Sequence, residues 1–385
     1  MPRMDIRKHT YGQNRKRKKK KENLAVAVVS GLFPWKGDGV SDVIRKLVFL
    51  VSLCALTFAA VRILDFYFGA HDDADYAEYW AVDSDNNARV SIRTSNANDT
   101  EGSSSGIEIE ILEKYKELWE KNNDMVGYVS IDPYVNYPVV QVPGDKDDDW
   151  YLRHNFYGRP TENGTIFVDK YVSFTPDTRP HNVLIHGHNL ITKNNFQPLM
   201  NYRDSMNTEG WSFLKSNPVI KFDTLYEVGT YKIFSVYQIN VNDVYGEFFD
   251  YWRKPYFQTR DEFFEYVIES LDRSHYHTGV DLRYGDELLT LSTCDFSMLS
   301  DIRLVIVARR VRIGESDYMN PDDFINNRTG NGRDSQGYMK YKMFEAYYRM
   351  SNGNKGWAGR NWDISLVEEL DEDWLEKYDE RSGFN

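Results

Sequence analysis

Cysteine is scarce in this chain: its 385 residues include two, Cys54 and Cys294, far apart in sequence. That excludes a disulfide-stapled module and a Cys-rich zinc or iron–sulfur site. There is no Gly-rich phosphate loop and no regular strand–helix–strand alternation, so a nucleotide-binding fold is not expected. Positive charge is missing where nucleic acid would need it. Residues 1–62 hold 14 Lys/Arg against 4 Asp/Glu, whereas residues 63–385 hold 33 against 55. A main body of net charge −22 offers no basic face to phosphates, and nucleic acid is not an expected partner. What the chain does have is 41% hydrophobic residues and 15% aromatics, led by 27 Tyr. That composition supports a sizeable core and is far from that of a disordered polymer.

The N-terminal charge is an address. Arg15 to Lys21 form an unbroken basic run, which alone reads equally well as a nuclear-localisation or nucleic-acid patch. Its position decides, because Leu47–Val61 follows as a stretch without charge, LVFLVSLCALTFAAV, preceded by Arg45 and Lys46. Fifteen residues rise about 22 Å as a helix, short of the ~30 Å hydrocarbon core. Ile63 and Leu64 extend the run past Arg62, which can snorkel, and Tyr67 suits the headgroup layer. Cations before the span and acids after it predict a single pass in the cell membrane, N-terminus cytoplasmic and body extracellular. No A-x-A-type cleavage site follows, so the segment reads as an uncleaved signal anchor; a buried core helix is the competing reading.

The remainder divides by composition. Residues 1–44 are the basic N-terminus, 45–68 the anchor, and 69–106 a polar linker ending in EGSSSG. Ile107, Ile111, Leu112, Tyr115, Leu118 and Trp119 lie at helical spacing and predict an amphipathic helix leading into a domain over 107–313. Short β-type runs follow: VGYVSI, YPVVQV, TIFVD, NVLIHGH, YKIFSVYQI, ELLTLSTC and RLVIVARRV, with one helical insertion at Asp261–Ser274. Many short strands and few helices predict a closed barrel or sandwich. In the extension over 314–385, Tyr338, Tyr341, Phe344 and Tyr348, then Leu366, Leu370 and Trp374, predict two short helices packed on the domain or on a partner.

Cys294 is the one cysteine outside the membrane in this topology, at the end of a strand pattern where reactive groups tend to sit. A thiol needs a base or cation to become a nucleophile near neutral pH. His186 and His188 lie at another strand end; spaced two apart they share a face and would also suit a metal, but no third ligand is supplied. His275 and His277 read as residues of a polar turn. Arg303 opens the strand RLVIVA nine residues after Cys294, a spacing at which a hairpin brings the two side by side. It could stabilise developing oxyanion charge or serve only in a surface salt bridge.

Together these residues resemble the sortases, specifically class B. TLSTC at Thr290–Cys294 followed by Asp295 is similar to the family's nucleophile motif, LIHGHN at Leu184–Asn189 to its histidine motif, and RLVIVA to its arginine strand. VGYVSIDPYVNYPVVQ, DDDWYLRHNFYG and GTIFVD match upstream in the expected order. The resemblance covers about Ile107–Ile313 and implies a mainly β fold, an eight-stranded barrel with N-terminal helices and a helix between strands six and seven. It implies Cys294 as nucleophile, His188 as acid/base and Arg303 as oxyanion or positioning group, with Ser292, Leu152, Tyr251 and Trp252 lining the groove. His186 stands where the resemblance implies Tyr or another residue in many relatives. The implied reaction is transpeptidation without metal or organic cofactor. A surface protein bearing a C-terminal sorting motif is cleaved after Thr and passed from a thioester to an amine of a cell-wall precursor or a pilin. A membrane-anchored cysteine peptidase would use the same residues with water as acceptor, and a surface scaffold would use none of them.

Overall fold

A computed structural model describes residues 29–79, 86–94, 107–203, 209–246, 248–297, 299, 301–329, 331–344, 346–347 and 355–382. The basic run Arg15–Lys21, the EGSSSG stretch and Tyr348 lie outside the described residues. The chain divides into two units, Met1–Asp65 and Phe66–Asn385. Helix α1 covers Val40–Tyr79, and its segment Val40–Asp65 has a mean hydropathy of 2.4 over its most apolar window. These 26 residues rise about 39 Å, enough to cross a membrane where Leu47–Val61 alone falls short. Tyr67 lies beyond the described side chains of this helix.

The stretch that composition marks as a linker contributes a strand, β1 (Arg89–Thr94), which pairs antiparallel with β2 (Ile107–Leu112). The helix expected over 107–119 is therefore corrected. Ile107, Ile109 and Ile111 also alternate with Glu, and the period of two prevails because β1 supplies a partner. A short 3-10 turn and helix α2 (Lys116–Lys121) complete the segment.

Eight strands close into a barrel. In chain order they are β3 (Met125–Ile131), β4 (Val135–Gln141), β5 (Phe167–Val168), β6 (Asn182–His186), β7 (Val219–Thr224), β8 (Thr230–Asn240), β10 (Leu288–Cys294) and β11 (Ile302–Arg310). Around the barrel the order is β10-β11-β8-β7-β3-β4-β5-β6, with β4–β5 and β6–β10 parallel and the other pairs antiparallel. Short helix α3 (Gly210–Ser216) precedes β7. Strand β10 is buried up to its last residue because both faces are covered. Leu289 and Leu291 turn to the barrel interior, while Thr290 and Ser292 turn outward under helix α4 (Arg260–Arg273) and the loop before it.

Helix α4 lies between the sixth and seventh barrel strands, where the helical insertion is expected. Thr259 caps it by accepting from the Glu262 amide at 3.2 Å. Its apolar face, with Phe263, Tyr266 and Val267, packs on the barrel. Its polar face is buried as well, because the C-terminal extension lies across it. Glu269 is bonded by Arg273, by Lys342 Nζ at 3.1 Å and by the Tyr378 hydroxyl. Asp272 accepts from Trp362 Nε1 at 2.7 Å and faces Arg360 Nε at 3.2 Å.

The extension also adds strand β12 (Ile325–Asn326) to β9 (Tyr276–His277) and ends in helix α5 (Glu372–Ser382). Two expectations are corrected here. His275 and His277 are buried, not in an open turn, because Asn327 and Asn361 cover and bond them. Tyr338, Tyr341 and Phe344 sit in irregular chain, where Tyr341 and Phe344 pack in an apolar cluster with Ile302 and Leu299. Leu366 and Leu370 precede α5, which carries Trp374.

Burial alone would raise the Glu269 carboxyl, but Arg273, Lys342 and Tyr378 outweigh it and hold it at about 2. A depressed folded value means that this contribution is whole above about pH 4.5 and is lost as pH falls toward 2. Unfolding midpoints measured from pH 6 to 2 should therefore fall less steeply below pH 4.5 in Glu269→Gln than in the parent. At pH 7 the same variant should be destabilised by roughly 3 kcal/mol, because Lys342 and Arg273 remain buried without their carboxylate.

Candidate active site

Strands β10 and β11 pair antiparallel, with Cys294 directly opposite Arg303. Opposed residues share a face, so thiol and guanidinium project to the same side with Cβ atoms about 5 Å apart. Both are partly exposed, and Cys294 is a free thiol. Arg303 donates to the Ile302 carbonyl at 3.2 Å, and among the described residues no carboxylate pairs with it. Its charge is thus available to a bound group. Asp295, next in sequence, turns away: its buried carboxylate takes Gln238 Nε2, the Ser297 amide at 3.0 Å, and Arg203 at 3.5 Å. That fixes the turn after Cys294.

His188 lies two residues past the end of β6, which runs parallel to β10 with His186 in register with Ser292. Three bonds carry the pairing beyond the ladder. The Gly187 amide donates to Ser292 O at 3.2 Å, Thr293 Oγ1 donates to Gly187 O at 2.8 Å, and Asn189 Nδ2 donates to Cys294 O at 2.9 Å. His188 is therefore flanked by residues tied to the two residues before Cys294 and to Cys294 itself. Its own carbonyl accepts from the Phe196 amide at 3.0 Å, which closes the loop behind it.

The imidazole is oriented from a third direction. His188 Nε2 lies 2.9 Å from the Leu152 carbonyl. A carbonyl only accepts, so Nε2 carries the proton and Nδ1 is the bare nitrogen of the neutral ring. Leu152 thus enters the site through its backbone. That carbonyl is rigid because Tyr151 is anchored: its hydroxyl donates to Asp124 at 2.6 Å and its carbonyl accepts from Thr165 at 2.9 Å. Gly164 has φ +58°, and a Cβ there would lie 2.7 Å from Leu152 O and 2.9 Å from His188 Cδ2. Glycine is required on both counts. Gly164, Asn189 and Thr293 are functional neighbours beyond the residues expected from sequence, and their one sequence signal is their place inside GTIFVD, LIHGHN and TLSTC.

Of the expected groove residues, Tyr251 meets Ser292 on the outer face of β10, with Trp252 beside it. Tyr251 is buried, with its hydroxyl 2.7 Å from Ser292 Oγ. Burial pushes that hydroxyl up to about 12; Ser292 and the Arg303 charge work against the rise, while Cys294 and Asp169 add to it. Tyr251 therefore stays protonated at neutral pH and senses both members of the Cys294–Arg303 pair. Trp252 is half-buried, stacked on Phe248 and edge-on to Tyr251. His186 lies apart from His188: it stacks on Phe167 and its Nε2 is 3.5 Å from Asp169.

Comparison with known proteins decides the family. The chain is 31% identical over 190 residues to sortase B of Listeria monocytogenes, an alignment spanning 48% of this chain and 69% of that protein. The chain belongs to the class B sortases. It is also 25% identical over 204 residues to sortase B of Staphylococcus aureus, spanning 52% of this chain and 75% of that one. Among solved structures, sortase B from B. anthracis in complex with AAEK1 is similar, at 24% identity and a TM-score of 0.46, over 65% of this chain and 99% of that one. No protein-family model matches the chain. In this sortase the ties around His188 are open to direct test. Gly164→Ala should lower turnover at least tenfold with His188 displaced, and Asn189→Ala about fivefold. Steady-state kinetics beside thermal melts will check that the folded barrel persists.

Proposed function

We propose that this sortase cleaves a C-terminal sorting motif after Thr and transfers the protein to an amine, with Cys294, His188 and Arg303 as the reacting set. The observation that carries the reading is the pairing of Cys294 with Arg303 beside a histidine loop tied to Cys294's own carbonyl.

The Cys294 thiolate attacks the Thr carbonyl carbon, and the charge that develops on oxygen is met by the Arg303 guanidinium. As the tetrahedral intermediate collapses, the C–N bond breaks and protonated His188 gives its Nδ1 proton to the departing amine. The thioester that remains is attacked by the acceptor amine. His188 Nδ1 takes a proton from that amine, the new amide forms, and the C–S bond breaks to return the thiolate. Throughout, the Leu152 carbonyl keeps the Nε2 proton in place, so one ring nitrogen does all the shuttling.

The groove for the sorting peptide is bordered by Leu152 and Trp252, with the buried Tyr251–Ser292 hydroxyl pair beneath it. The apolar helix anchors the enzyme in the cell membrane with its N-terminus inside, holding the catalytic domain where exported substrates and amine-bearing wall precursors or pilins arrive.

The test uses the full chain in detergent with a pool of Thr-Gly-containing peptides and an added amine, followed by intact mass. A peptide acyl adduct on Cys294 and an amine-ligated product, both lost in Cys294→Ala, are expected. Hydrolysis alone at saturating amine would instead establish a peptidase. Arg303→Lys should lower kcat by about 10²-fold, because a point charge does not reproduce the planar guanidinium at the oxyanion.

A further inference from the structure

The C-terminal extension is bound to helix α4. Helix α4 presents Glu269, Asp272 and Arg273 to it, and the extension answers with Lys342, Arg360, Trp362 and Tyr378. The grip is distributed. Lys342 also donates its backbone amide to the Asp272 carbonyl at 2.7 Å, and Trp374 packs edge-on to Phe264 and donates Nε1 to Asp261 at 2.9 Å. Every turn of α4 is therefore held from outside.

The grip has a path to the chemistry. Arg273, bonded to Glu269, lies over the Phe249 ring at 5.5 Å. Phe249 packs edge-on to Tyr266, and the Tyr251 amide donates to the Phe249 carbonyl at 2.9 Å. Tyr266 donates or accepts at Thr290, and Tyr251 does so at Ser292, two residues before Cys294. The loop 248–252 therefore rests on α4 on one side and on β10 on the other. Glu269 is an ionic centre, nearly excluded from water, with no role in the reaction proposed above.

We propose that the extension positions the substrate groove: Lys342 and Tyr378, through Glu269 and Arg273, hold the Phe249–Trp252 segment against Ser292. These are positioning residues, and their removal acts on peptide binding rather than on the bond-making groups carried by β6, β10 and β11. The kinetic part of this inference rests on the transpeptidase reading, whereas its structural part does not.

The experiment compares full-length parent, Lys342→Met, Lys342→Arg and Tyr378→Phe by amide hydrogen exchange and by kinetics with the Thr-Gly peptide pool and amine. In Lys342→Met, exchange over 249–252 should quicken at least tenfold along with 338–344 and 372–382. KM should rise about tenfold with kcat within threefold of the parent. Lys342→Arg should restore both, and the milder Tyr378→Phe should shift both in the same direction by less, which keeps the test open if Lys342→Met does not fold. Faster exchange in the extension with unchanged exchange over 249–252 would overturn the proposal, as would a fall in kcat at constant KM. Should the parent turn over no peptide, the transpeptidase reading fails and the exchange data alone decide this one.

Discussion

The site depends on one pairing: strand β6 runs parallel to β10, and its hydrogen bonding continues past the end of both strands. Parallel neighbours cannot be joined by a hairpin, so the chain between them must leave and return. Here it adds β7, β8 and α4 before β10 begins. The histidine and cysteine motifs, separated by about a hundred residues, meet because this long-range ladder registers Ser292 against His186. The bonds from Gly187, Thr293 and Asn189 then convert a strand register into a side-chain placement. Net hydrogen bonds of this kind contribute about 1 kcal/mol each, so their value lies less in stability than in limiting where the imidazole can go.

Around that pairing the remaining parts act as restraints. The turn at Trp150–Leu152 offers one carbonyl, and Gly164 leaves it room to meet His188. Antiparallel β11 places Arg303 opposite Cys294 with no internal counter-ion among the described residues. Asp295, an acid adjacent to the thiol, is drawn off by Gln238 and Arg203. Arg303 is therefore the charged group directly opposite Cys294 in the ladder. The outer wall, with Tyr251 and α4, supplies shape rather than reacting groups.

Much of this was legible in sequence because the chemistry sits in contiguous motifs. Seven of the eight barrel strands show as Val/Ile/Tyr-rich runs, and α4 shows as a helical period between the sixth and seventh. Strand β7, VIKFDT, escaped because Lys221 and Asp223 dilute its apolar signal, although strict alternation remains in its burial. Strands β1 and β2 escaped because each is stabilised by the other across intervening chain, and IEIEIL satisfies both periodicities until a partner chooses. The burial of His275 and His277 could not be read locally, since Asn327 and Asn361 arrive from the extension to cover them. Leu152 was expected to contribute as a groove residue, yet it acts on His188 through a carbonyl that any residue would possess. What fixes it there is Gly164, and a glycine in a loop gives little warning of its purpose.

The orientation of His188 is where the account is most exposed. Nitrogen-15 NMR of the full chain labelled at histidine, with His188 assigned by its absence in His188→Gln, reads the tautomer of the neutral ring directly. The account predicts a protonated Nε2, held on the Leu152 carbonyl, and a bare Nδ1. A neutral ring protonated at Nδ1 would contradict it, because the nitrogen assigned to the reacting groups would then be unable to accept their proton.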